Sequence, residues 1–99
     1  MEPITIDITD TLDLHTFVPK EIPNLIENYL SACAKKGIYR VRIIHGKGTG
    51  IMKARVRKIL ARHPNVNYFK DAPSESGGWG ATLVKLIVDG GNQSGNFDN

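Results

Sequence analysis

Apolar and polar residues first alternate along this chain, then fall into helical spacing, and the two patterns exchange repeatedly. Ile4, Ile6 and Ile8 face Thr5, Asp7 and Thr9 in a period of two, which argues for extended structure until Asp10 interrupts it. Residues 1–10 therefore read as an N-terminal arm or short strand. Residues 11–15 predict a strand with Leu12 and Leu14 on one face and Asp13 and His15 on the other. Along a straight strand those two polar side chains stand roughly 7 Å apart, so they would not meet head-on. Pro19 and Glu21 suit the start of a helix, but Pro23 is awkward inside one. The sequence predicts a loose or 3₁₀ opening turn and a regular helix over residues 22–36. Ile22, Leu25, Ile26, Tyr29, Leu30 and Cys33 form its apolar stripe, and Gly37 stops it.

Residues 38–44 return to period two, with Tyr39, Val41 and Ile43 opposite Arg40 and Arg42. Strand, helix, strand implies a parallel crossover. One apolar and one basic face implies that the helices cover one side only, leaving the other at least partly open. A second helix is predicted over residues 51–63, buried through Met52, Val56, Ile59 and Leu60. A third strand covers residues 66–71, a loop rich in Pro, Ser and Gly covers 72–80, and a fourth strand covers 81–88. The short connection makes the fourth strand antiparallel to the third. Residues 89–99 carry too little apolar material to pack and read as a disordered polar tail, leaving one domain over residues 11–88.

Length and charge narrow the picture. A chain of 99 residues makes one small domain, and a net charge of +3 is compatible with a nucleic-acid partner without requiring one. Cys33 is the single cysteine, which excludes an internal disulfide, and its place on the apolar stripe makes it a core residue rather than a reactive thiol. No signal peptide and no membrane-length apolar run is visible. A cytoplasmic, monomeric protein with no membrane partner is the expectation.

The candidate chemistry clusters at strand ends. His45-Gly46-Lys47-Gly48-Thr49-Gly50 joins the second strand to the second helix. Glycines there let the backbone approach a ligand, and the following helix start offers N–H groups and a positive dipole end to a phosphate. Lys53 and Arg55 lie beside this loop in a helix without acidic residues. Lys53 at the positive end of its own helix is electrostatically unfavourable, and a bound anion would relieve it. The loop is neither a Walker loop nor a dinucleotide fingerprint, since no Gly-Lys-Ser/Thr follows and Ile51 takes the place of the third glycine. If the third strand runs parallel to the first two, His15, His45 and the loop containing Gly78, Trp79 and Gly80 converge on one sheet edge, where ligands of open α/β sheets bind.

Leu12-Asp13-Leu14-His15, the His45–Gly50 loop and Gly77-Gly78-Trp79-Gly80-Ala81-Thr82, in this order, resemble the Smr (small MutS-related) domain family. The match runs from about residue 11 to residue 86, as in a stand-alone member, with Thr16 standing where many members have glycine. The resemblance implies an α/β two-layer sandwich of β-α-β-α-β-β order, a mixed four-stranded sheet with two helices on one face, similar to the C-terminal domain of translation initiation factor 3. It also implies binding of DNA or RNA, including structured or branched forms, with endonuclease activity in several members.

On that reading His15 and His45 are the candidates for proton transfer, and Asp13, the third catalytic candidate, would orient a histidine. Gly46, Lys47, Gly48, Thr49, Gly50, Lys53 and Arg55 would hold a phosphate. Arg40, Arg42 and Lys85 would track the backbone, and Gly78, Trp79 and Gly80 would complete the cleft, with Trp79 as a stacking platform. The alternative is a non-catalytic module that binds nucleic acid through the same loop. The same residues also have plainer uses: both histidines as loop braces, Asp13 as a turn cap, Trp79 as loop packing. A divalent metal such as Mg²⁺ is compatible with the chemistry, although Asp13, His15 and His45 follow no recognised ligand spacing, and no metal ligand is assigned.

Overall fold

The structure is a computed structural model that describes residues 10–88. The expected N-terminal alternation before Asp10 and the polar tail lie outside the described residues. Helix α1 (Ile22–Lys35) forms where the apolar stripe predicts it, after a 3₁₀ turn at Pro19–Glu21 that accommodates the prolines. Ile22, Ile26, Leu30 and Cys33 on this stripe are completely buried. The helix ends at Gly37, whose positive φ lets its N–H reach Ala34 O at 3.1 Å while the Ile38 N–H reaches Cys33 O at 2.8 Å. This double cap spends the Ile38 N–H, which is why the following strand begins at Arg40 rather than at residue 38.

Strand β1 (Thr11–Asp13) is shorter than residues 11–15, and strand β2 (Arg40–Ile44) pairs with it in parallel, Thr11 opposite Arg42 and Asp13 opposite Ile44. Helix α2 (Ile51–Arg62) buries Val56 and Leu60, and strand β3 (Val66–Asp71) follows. Two 3₁₀ turns, Ser74–Ser76 and Gly78–Gly80, lead into strand β4 (Ala81–Leu86). Beyond Leu86 the side chains of Ile87 and Val88 are exposed, so the strand stops short of residue 88.

The sheet order is β1-β2-β4-β3. The last strand slots between β2 and β3 and runs antiparallel to both, so β3 has the same direction as β1 and β2. The core lies on one face only, where Leu14, Val41, Ile43, Val84 and Leu86 of the sheet side meet Ile26 and Leu30 of α1 and Val56 and Leu60 of α2. Arg40, Arg42, Tyr68, Lys70, Leu83 and Lys85 lie on the other face and line an open depression. The mixed four-stranded α/β sandwich is thus the architecture the resemblance implies, and its one-sided helical layer is the one the alternation predicts. Among the described residues no helix is long and apolar enough to cross a membrane.

Candidate nucleic-acid interface at the carboxyl edge of the sheet

Because β1, β2 and β3 share a direction, their carboxyl ends and the amino end of β4 lie at one edge. The expected convergence of the three segments is present there. The glycine loop is held to the β3–β4 loop by the Gly80 carbonyl, which accepts from the N–H groups of His45 at 3.1 Å and Gly46 at 2.9 Å. Gly80 is buried, and a Cβ on it would stand 3.3 Å from Lys47 Cγ and 3.4 Å from the Gly46 carbonyl carbon, so a bulkier residue would push the two loops apart. Gly50, at φ +89°, takes the N-cap position of α2 and supplies no side-chain cap. The leading amides of the helix carry no side-chain partner there, beside the exposed Lys47, Gly48 and Thr49.

His45 turns toward the helical layer. Its Nδ1 lies 2.9 Å from the Gly46 carbonyl and its Nε2 lies 2.8 Å from Thr82 Oγ1. A carbonyl can only accept, so Nδ1 carries the proton, and Nε2 of the neutral ring accepts from the Thr82 hydroxyl. Burial, with Lys53 and Arg57 nearby, lowers the imidazole pKa from its ordinary 6.5, against the Gly46 carbonyl, which raises it. Both ring nitrogens are therefore spent on holding the loop to β4. Thr82, fully buried in an otherwise apolar stretch, was missed as a site residue. The signal was there in a hydroxyl on the core parity of a buried strand, which needs a partner.

His15 is the opposite case. The chain leaves β1 after Asp13, and the Asp13 carboxylate accepts the His15 N–H at 3.0 Å, making a tight turn. That turn folds the ring back so that His15 Nδ1 lies 2.8 Å from Asp13 Oδ1. The expectation that the two would not meet head-on is corrected: it assumed a strand running to residue 15. The His15 backbone N–H, followed by its ring, holds the Asp13 pKa below 3.8, so the carboxylate is ionised at neutral pH. The His15 side chain is 76% exposed. Its Nε2 has no partner among the described residues.

Lys53 already has its anion. Its Nζ lies 2.8 Å from Asp71 Oδ1, at the end of β3, and 4.3 Å from the centre of the Trp79 ring. Its side chain is only 11% exposed, so the relief expected from a bound phosphate comes from within the fold. Arg57 donates to the same oxygen at 2.8 Å and lies over Phe69, so it belongs to the same internal cluster. Lys53, then Arg57, keep the Asp71 pKa below 3.8. Trp79 closes over Gly50, whose added Cβ would meet the ring at 3.4 Å, and its remaining face is exposed. Asp71 and Arg57 were missed; an acid on the core parity of β3 beside a wholly basic helix was the available signal. Arg55 is exposed, Gly78 is partly exposed, and Arg42 donates to the Ser76 carbonyl at 3.1 Å, tying the β3–β4 loop to β2. Arg40 stands on the open face. Cys33 is fully buried, and burial raises its thiol pKa. Among the described residues no group of three or more His, Cys, Asp or Glu comes together to hold a metal ion.

The fold and its edge define a class, an open-faced α/β sandwich whose glycine loop and two histidines lie at one edge of the sheet. The Smr domain family matches over residues 12–87, and the chain belongs to that family. The chain is 38% identical over 78 residues to the ribosome rescue factor SmrB of Aeromonas hydrophila, covering 79% of this chain and 45% of that protein. It is 41% identical over 61 residues to the endonuclease MutS2 of Caldicellulosiruptor bescii, covering 62% of this chain and 8% of that one. It therefore spans less than half of the first relative and a small part of the second. The crystal structure of the Smr domain of Thermus thermophilus MutS2 superposes with a TM-score of 0.73 at 33% identity, covering 79% of this chain and 98% of that domain. YdaL, a stand-alone small MutS-related protein from Escherichia coli, superposes with a TM-score of 0.74 at 26% identity over 79% of this chain and 64% of that one.

Proposed function

We propose that this domain binds nucleic acid and cleaves its phosphodiester backbone at the carboxyl edge of the sheet. The observation that carries the reading is the Asp13–His15 pair, a carboxylate holding one imidazole nitrogen while the other faces solvent. Asp13 fixes the proton on Nδ1, so the neutral ring presents a lone pair at Nε2. In that form His15 acts as general base toward the attacking hydroxyl or water. The leading amides of α2, which have no side-chain cap, and Lys47 bind the non-bridging oxygens and stabilise the charge that develops on them. His45 and Thr82 keep that loop in place, a positioning role. The described residues do not supply a donor cluster that fits a resident metal. Its likeness to an endonuclease and to a ribosome rescue factor supports a nucleic-acid role for the domain.

The test is cleavage and binding of labelled DNA and RNA by wild type, His15→Ala and Lys47→Ala, with and without Mg²⁺. His15→Ala should lose cleavage and retain binding, and Lys47→Ala should weaken both. Binding by wild type with no cleavage of any substrate would leave the second reading, a binding module that uses the loop as a phosphate clamp.

A further inference from the structure

The face of the sheet turned away from the helices has its own organisation. Register places its side chains in rows. Arg40 of β2, Lys85 of β4 and Tyr68 of β3 lie abreast, and Thr11, Arg42, Leu83 and Lys70 form the next row toward the carboxyl edge. Between them runs an open depression of about 480 Å³. Four of its lining residues, Arg40, Arg42, Lys70 and Lys85, are cations, and Asp10 is its single acid. Among the described residues Arg40, Lys70 and Lys85 have no acidic partner within 4 Å, whereas Lys53 and Arg57 on the helical side share Asp71. Tyr68 leaves 52% of its surface exposed, standing beside Lys85 at the edge strand.

We infer that this open face is a second binding surface that takes single-stranded nucleic acid, with a base on the Tyr68 ring and phosphates on Arg40, Lys85 and Lys70. The occupant follows from two features together. The unpaired cations call for a polyanion. The exposed ring calls for a base with a free face, which a stacked duplex does not offer and a single strand does. Asp13 belongs to the same parity as Thr11, one step of roughly 7 Å further along the strand. A diagonal from Tyr68 past Lys85 and Arg42 therefore ends at the Asp13–His15 pair, roughly 20 Å away by strand spacing and rise. Arg42, already anchored on the Ser76 carbonyl, is a fixed donor along that path. This inference deepens the cleavage reading and names its substrate class, but the surface is separate from the glycine loop.

The experiment is fluorescence anisotropy with labelled twelve-nucleotide dT and U oligomers and a blunt-ended duplex, using the full chain. Tyr68→Ala should weaken single-strand binding by about ten-fold while leaving the melting temperature and duplex binding close to wild type. Tyr68→Phe should restore single-strand binding, because the ring and not the hydroxyl is used. Lys70→Ala and Lys85→Ala should each reduce the slope of log K against log salt by about 0.7. Equal binding by Tyr68→Ala and wild type, equal losses on duplex and single strand, or no single-strand binding by wild type would each overturn the inference. The two readings fail separately. A Tyr68 effect without cleavage by wild type removes the catalytic reading alone, and cleavage lost in His15→Ala with no Tyr68 effect removes the open face alone.

Discussion

Two histidines follow adjacent parallel strands at the same sheet edge, and the fold treats them differently. His45 faces the helical layer with both nitrogens bonded internally, in company with a lysine and an arginine that share one aspartate. His15 faces solvent with one nitrogen held and the other open. A similar contrast separates two groups of cations: Lys53 and Arg57 share Asp71 within the fold, whereas Arg40, Lys70 and Lys85 on the open sheet face have no acidic partner among the described residues. Residue type and proximity to a glycine loop do not separate a brace from a reactive group. What separates them is whether the hydrogen-bonding capacity is already spent.

That contrast can be broken at several points. The largest effect is expected at His15. His15→Ala should reduce cleavage by roughly 10²–10⁴-fold while changing stability by less than about 0.5 kcal/mol, read by single-turnover kinetics beside thermal melting. A loss of stability equal to that of a core variant would make His15 a brace as well. Next comes Gly80, where the two loops touch. Gly80→Val should cost about 1–3 kcal/mol by overpacking and should disturb the amide resonances of His45 and Gly46. Unchanged resonances would mean that the loops are held apart from Gly80.

Smaller effects are expected from charge. Asp71→Asn should lower the melting temperature by leaving Lys53 without a carboxylate, with less loss when Lys53→Met is made as well, a coupling that a double-mutant cycle measures. His45 should titrate below 6.5 by NMR, because burial disfavours its charged form. A depressed pKa means that the unfolded chain binds the proton more readily. The contribution of His45 to stability is then complete above about pH 6.5 and is lost as the pH falls through the folded value. Denaturant midpoints measured between pH 8 and pH 5 should fall toward acid, and His45→Gln should flatten the curve.

Much of the fold was legible because burial is periodic. The α1 stripe, the parity of Val41 and Ile43 against Arg40 and Arg42, and the one-sided helical layer all follow from spacing alone. The lateral order of strands did not, because nothing local in Ala81–Leu86 says that it enters between β2 and β3. At the edge, sequence order brought the right segments together but misread the contacts within them. Asp13 and His15 meet only because the chain turns at a bonded carboxylate, and the anion for Lys53 comes from a strand that lies eighteen residues further on in the chain. Both depend on side chains choosing partners after the backbone is placed.

The insertion of β4 has a consequence for how the chain comes together. Among the described residues the strand latest in sequence is a central one, so β2 and β3 each present an unpaired inner margin until residues 81–86 are available. During synthesis that interval begins when β2 leaves the ribosome and lasts through all of α2 and β3. A chain truncated before Ala81 has two open margins, each able to recruit a strand from a neighbouring molecule. Fragments lacking the last strand should accordingly be the aggregation-prone species of this protein, and completion of the sheet from its middle should be a late event in folding.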